Sequence, residues 1–138
     1  MAEPDESHAV SVFTAIGGQP FFDRLCARFY ADVAQDPALR PLYPDDLSDS
    51  ERWLALFLGQ YWGGPTAYHE ERGHPRLRMR HAPFAIGTVQ RDAWYRHMRS
   101  ATVAEVAALD HLDRDLQAAV EARFLDYFAT AADHMVNT

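Results

Sequence analysis

Seven histidines are the residues of this chain best suited to hold a metal, and their spacing sorts them. The stretch "HEERGH" (69–74) comes close to a zinc-hydrolase helix motif, which sets two histidines four residues apart with a glutamate after the first. Here Gly73 occupies the position the second histidine would need, and His74 comes one residue late. A five-residue step turns through roughly 500 degrees on a helix of 3.6 residues per turn, so the two rings would face different ways. His8, His111 and His134 lie among polar or terminal residues and read as solvated surface. His97 follows Trp94 within a helical pattern, as a core or rim histidine would. His81 differs. It closes the basic stretch of "RGHPRLRMRHAPF" (72–84), follows Leu77 and Met79, and precedes the apolar run "APFAI".

Taken alone, a histidine in that setting is more often structural than a ligand. A lone histidine also holds a bare metal poorly, because zinc sites want three or four protein ligands. Haem iron needs only one, since the porphyrin supplies four nitrogens. The chain carries 8 Phe, 6 Tyr and 3 Trp, enough to wall a flat apolar ligand or simply to fill a small core. Composition does not choose between those uses. Arg72, Arg76, Arg78 and Arg80 make a locally cationic stretch in a chain of formal charge -7, and the two carboxylates of a haem are a natural client. A solvated basic face remains the alternative for at least two of the four.

These residues need elements to position them. Residues 1–10 read as a disordered tail and residues 11–138 as a single domain. "SVFTAIGG" gives a short helical turn or two, closed by Gly17 and Gly18. From Gln19, the positions Phe21, Phe22, Leu25, Cys26, Phe29, Tyr30 and Val33 keep helical spacing up to Asp36-Pro37. "PALRPLYPDD" must be a tight corner. Ser48 and Glu51 stand at capping-box spacing ahead of a helix with Trp53, Leu54, Phe57, Leu58 and Tyr61, which stops at "GGP". A polar loop then leads to a short isolated helix over 75–82, opened by Pro75 and stopped by Pro83. Thr88 caps a helix with Ala93, Trp94, His97, Met98 and Ala101. Asp110 caps the last, which sets Leu112, Leu116, Val120, Phe124, Phe128, Ala131 and Met135 on one stripe. No stretch alternates with period two, and no repeat appears. The expected fold is all-α, with four substantial helices and one short, isolated one.

Charge and hydropathy remove several functions. With 20 acidic against 13 basic residues, general binding to nucleic acid or anionic membranes is not expected. No apolar run approaches the ~20 residues that span a bilayer. The acidic start "MAEPDESHAV" is unlike a signal or transit peptide, so a cytoplasmic protein is expected. A lone cysteine, Cys26, excludes an internal disulfide and a multi-cysteine metal site.

The ordered set "AIGG", "ARFYADV", "LRPLYPDD", "FLGQYWGGP", "RGHPRLRMRHAPF" and "RDAWYRHM" resembles the truncated haemoglobins, the two-over-two version of the globin fold, and within them the group II or O-type branch. The resemblance runs from about Phe13 to Asn137. It implies haem b as cofactor and His81 as the proximal iron ligand, with the iron's other face open. It implies Tyr30, Tyr43 and Trp94 as distal residues that stabilise a ligand. Leu54, Phe57 and Leu58 would lie against the haem on the distal side, Phe84 and Ile86 would close the proximal edge, and Arg78 and Arg80 are the arginines assigned to the cofactor. Trp94 points to group II, because group I members usually have an aliphatic residue there. Ser50 stands where many globins place a distal histidine, and a small residue there fits the branch.

Elementary chemistry suits these roles. A ligating histidine binds through one neutral ring nitrogen and usually donates from the other, and for His81 the Leu77 carbonyl is the expected acceptor. Phenols and indoles donate hydrogen bonds from large apolar bodies. Without the resemblance, Tyr43 and Trp94 would read as core aromatics.

Two functions follow from the resemblance. One is reversible binding of dioxygen and other diatomic ligands for storage, delivery, transport or sensing. The other is enzymatic: nitric oxide dioxygenase or peroxidase-like detoxification, which needs a separate reductase because no flavin or nicotinamide motif is present. A haem-free helical interaction module, with the whole cluster as core packing, is the remaining alternative. Oligomeric state stays open, a homo-oligomer included.

Overall fold

The computed structural model describes residues 11–138, except the Arg78 side chain, so the tail expected at 1–10 lies outside the described residues. All regular structure among the described residues is helical. Helix α1 (Val12–Ala15) is capped by Ser11, whose Oγ accepts from the Thr14 N–H at 3.1 Å. Helix α2 (Gln19–Val33) buries all seven apolar positions read from its periodicity, Cys26 among them. The proline corner holds a 3-10 turn (Arg40–Leu42).

Helix α3 (Ser48–Tyr61) begins without the expected capping box. Ser48 lies inside the helix, and the Asp46 carboxylate accepts from its N–H at 2.9 Å. The helix ends as the "GGP" signal requires. Gly63 N–H bonds the Gln60 carbonyl and Gly64 N–H the Gly59 carbonyl, a paired C-terminal closure that needs left-handed backbone at Gly63, whose φ is 105°.

Where a polar loop was expected, α4 (Ala67–Arg72) forms. The reason is tertiary. Gln60 Oε1 accepts from the His69 N–H at 2.8 Å, and Tyr68 is buried with its ring 5.6 Å from Phe57. Helix α5 (Leu77–His81) is shorter than the 75–82 expected. Pro75 stays outside because Arg76 takes a left-handed backbone, φ 47° and ψ 51°, with its N–H bonded to His74 Nδ1 at 3.1 Å.

Helix α6 (Thr88–Ala107) starts at Thr88, but Gln90 does the capping by accepting from the Gly87 N–H at 2.9 Å. Helix α7 (Arg114–Met135) is capped by Asp113, not Asp110, through a 2.8 Å bond from Leu116 N–H. Asp110 falls in the preceding turn, and Leu116 is left half-exposed rather than on the core stripe.

The four long helices form two contacting pairs, α2 with α3 and α6 with α7, joined through α2 and α6. Phe21, Phe22, Phe29, Phe124 and Phe128 fill the centre, each worth roughly 1.5–3 kcal/mol on burial. One buried carboxylate crosses the α2–α6 contact: Glu105 accepts from Arg24 Nε at 2.9 Å and Arg28 Nε at 2.5 Å. No helix among the described residues is long and apolar enough to cross a membrane.

Candidate functional site

Between the two helix pairs lies a cavity of about 490 Å³, within the roughly 300–1,000 Å³ of ligand pockets. Its wall is built from every substantial element. Tyr30 comes from α2, Tyr43 from the corner, Leu54, Phe57 and Leu58 from α3, and Tyr68 and Arg72 from α4. Leu77, Arg80 and His81 come from α5, Phe84 and Ile86 from the following segment, Trp94 from α6, and Tyr127 and Phe128 from α7. The residues assigned in the sequence to the cofactor or its ligand thus line one space, except Arg78, whose side chain lies outside the described residues, while Arg76 of the basic stretch does not line it. Ser50 lines it too. Trp53, Tyr68, Gln90, Arg91 and Tyr127 join the wall without having been singled out for it. Tyr127 was findable, one helical step from the Phe124–Phe128 stripe, and Gln90 stands one turn before Trp94 on the same helix face; Arg91 carried no signal.

His81 is half-buried, with Nδ1 2.6 Å from the Leu77 carbonyl oxygen. A carbonyl can only accept, so Nδ1 carries a proton, and in the neutral ring the lone pair is then on Nε2. That tautomer is the one a metal ligand needs. The segment after His81 is held from far along the chain. Asn137 Oδ1 accepts from the Ile86 N–H at 2.9 Å, its N–H donates to the Ile86 carbonyl at 2.8 Å, and its Nδ2 donates to the Phe84 carbonyl at 2.8 Å. No local pattern marks Asn137, because its partners lie about fifty residues earlier.

Three polar tips meet in the cavity wall. The Tyr30 phenol and the Trp94 indole both lie beside the Tyr43 hydroxyl, and the Tyr30 and Tyr43 rings stand 5.5 Å apart, edge to face. An indole N–H only donates, whereas each phenol can donate or accept, so all three tips can serve as donors in the cavity wall. Burial pushes the Tyr43 phenol up to about 12, with the neighbouring Tyr30 and Trp94 tips pulling the other way, and burial raises Tyr30 as well. Both phenols therefore stay protonated at neutral pH.

The arginines are less free than their sequence cluster suggested. Arg80 Nε is spent on the Pro75 carbonyl at 2.7 Å. Arg72 stacks over Trp53 at 4.8 Å, and Arg91 pairs with Asp92 and Asp133. Among the described residues no three His, Cys, Asp or Glu side chains cluster to hold a bare metal ion. One histidine in an apolar, aromatic cavity suits instead a group that brings its own equatorial ligands, and haem is such a group. The donor set fits it.

A helix-pair frame around such a cavity defines a globin of the truncated, two-over-two class. The sequence pattern of the bacterial-like globins matches residues 11–132. Group 2 truncated hemoglobin YjbI of Bacillus subtilis (strain 168) is 38% identical over 120 residues, covering 87% of this chain and 84% of that protein. The X-ray structure of a thermostable hemoglobin from Thermobifida fusca is 48% identical, with a TM-score of 0.82 over 94% of this chain and 98% of that one. A truncated haemoglobin from Bacillus subtilis described as oxygen-avid is 35% identical, with a TM-score of 0.78 over 93% of this chain and all (100%) of that one. The chain belongs to the bacterial-like globin family, among the group II truncated haemoglobins. Haem as cofactor and the binding of diatomic ligands come with that membership.

Proposed function

We propose that this truncated haemoglobin binds dioxygen reversibly at a haem b held by His81 alone, for storage, delivery or sensing. The observation that carries the reading is the Tyr43 hydroxyl, which shares a cavity with the Tyr30 phenol, the Trp94 indole and a histidine whose Nδ1 is bonded to a carbonyl. Bound haem would supply a ferrous iron able to take a diatomic ligand. Everything else falls to the chain. His81 would bind through Nε2 while the Leu77 carbonyl fixes its ring. Tyr43 would donate to a ligand carrying partial negative charge, and Tyr30 and Trp94 would hold the Tyr43 oxygen in place. Leu54, Phe57, Leu58, Phe84 and Ile86 would keep water out, which strengthens that donation. The likeness to an oxygen-avid protein supports dioxygen as the ligand.

The test is the absorption spectrum of the purified protein as ferric, ferrous and dioxygen-exposed forms, followed by dioxygen release measured against nitric oxide consumption. A Soret band, a stable dioxygen spectrum and slow release are expected. No Soret band after haem addition overturns the reading. Rapid nitric oxide turnover with an added reductant moves the protein to the detoxifying enzymes and implies a separate reductase.

A further inference from the structure

Away from the cavity, one polar cluster ties together the two elements that carry Tyr43 and Trp94. Asp36, in the turn after α2, reaches α6: His97 Nε2 lies 2.6 Å from its Oδ2, and Arg96 Nη2 lies 3.4 Å from the same oxygen. Its Oδ1 accepts from the Ala38 N–H at 2.8 Å, and its backbone carbonyl accepts from the N–H of Leu39 at 3.1 Å and of Arg40 at 2.8 Å. Arg40 then spends its guanidinium on the carbonyls of Tyr43, Pro44 and Asp45 at 3.3, 2.8 and 2.7 Å. A hydrogen-bonded path thus runs from α6 to the backbone of Tyr43. Trp94, about one turn before His97 on the same helix, meets the Tyr43 hydroxyl. Helix α6 grips Tyr43 at both ends, side chain and main chain.

We propose that Asp36 and His97 are positioning residues for the Tyr43 hydroxyl, acting through Arg40 and the proline corner, and that they help set the rate at which dioxygen leaves. The proposal rests on the reading of Tyr43 as the donor to the ligand. Neither Asp36 nor His97 lines the cavity. Their side chains are only 12% and 17% exposed, so water competes weakly for the bond between them. The other charged groups at this spot are Asp32 of α2, 3.8 Å from His97 Nδ1, and Arg96. Arg96 is 65% exposed and cannot replace His97 as the anchor, because exposed ion pairs contribute little. A hydroxyl donates well only within a narrow range of distance and angle, so a corner that drifts weakens the bond Tyr43 makes.

The experiment uses haem-loaded protein in four forms: His97→Ala, His97→Gln, Tyr43→Phe and the double variant His97→Ala/Tyr43→Phe. Stopped-flow release of dioxygen and carbon monoxide is measured on each, with backbone amide exchange by NMR as a second readout. In His97→Ala, dioxygen release should quicken roughly two- to tenfold, the span of one neutral hydrogen bond. Carbon monoxide release should hold, and the amides of Ala38, Arg40 and Tyr43 should exchange faster. His97→Gln, which can still donate to Asp36, should restore both. In the Tyr43→Phe background, His97→Ala should add nothing. If Tyr43→Phe quickens release and His97→Ala does not, the positioning role is wrong while the donor reading stands. Equal His97 effects with and without the Tyr43 hydroxyl overturn the route through Tyr43. A Tyr43→Phe protein that releases dioxygen at the parent rate removes the donor reading and the positioning role together.

Discussion

His81 and Tyr43 divide the proposed chemistry between them, and each can be tested alone. His81→Gly should give a folded chain that loses haem, or that regains the ferrous spectrum only with added imidazole. Arg80 is a permanent cation, and His74 lies outside the cavity wall, so neither can substitute. An unchanged spectrum would remove His81 from the iron. In the proposed arrangement Tyr43 is the donor to the ligand, with Trp94 beside it. A hydrogen bond to a charged group is worth roughly 1.5–3 kcal/mol, so Tyr43→Phe should speed dioxygen release about 10- to 100-fold. Trp94→Phe should have a smaller effect, non-additive with Tyr43→Phe. Carbon monoxide is a poorer acceptor and should respond less to both. Equal responses of the two gases would indicate a steric gate. Because burial raises the Tyr43 phenol to about 12, its donation should be constant from neutral to mildly alkaline pH.

At the scale of elements, the junction after α3 carries a sharp requirement. A Cβ on Gly64 would stand 2.5 Å from the Phe13 ring and 2.8 Å from the Gly59 carbonyl oxygen. Phe13 is itself stacked on Phe22, so the ring has little room to retreat. Gly64→Ala should therefore destabilise the protein by about 1–3 kcal/mol in denaturant unfolding, as overpacking does. A neutral result would show that α1 is loosely held. The same junction shows what the sequence could reveal. Helices α2, α3, α6 and α7 were readable because their apolar residues recur at helical spacing. The Leu77 carbonyl was identifiable as the partner of His81 because the contact is one helical turn. Helix α4 was not readable, since its support comes from Gln60 and from the burial of Tyr68. Asp113 rather than Asp110 as the cap, the left-handed Arg76 and the Asp36–His97 bond have the same cause. Each is decided by geometry or by partners that spacing does not encode.

For the whole molecule, the response to acid is set by the carboxylates that join its helices. Burial pushes the Glu105 carboxyl up, but the bonds from Arg28 and Arg24 outweigh it and hold it below the usual range. A depressed carboxyl stabilises the fold above the ordinary carboxylate range and stops doing so as pH falls through its lowered value. Asp36, lowered chiefly by its bond with His97, acts in the same direction. Stability should therefore fall as pH drops from the usual carboxylate range towards these lowered values, and Glu105→Gln should lower stability at neutral pH while flattening the acid limb. An unaltered acid limb would mean that other carboxylates dominate. Haem should add stability by mass action, about 4 kcal/mol when free haem stands at 1,000 times its Kd. Thermal unfolding with and without haem measures that gain. The clasp of Asn137 on Phe84 and Ile86 bears on the order in which the molecule is made. A chain emerging from the ribosome presents His81 long before residue 137 exists to brace the segment beside it. Translation thus sets a schedule: α2 and α3 can pair before α7 and Asn137 exist, and the brace on the segment after His81 comes last.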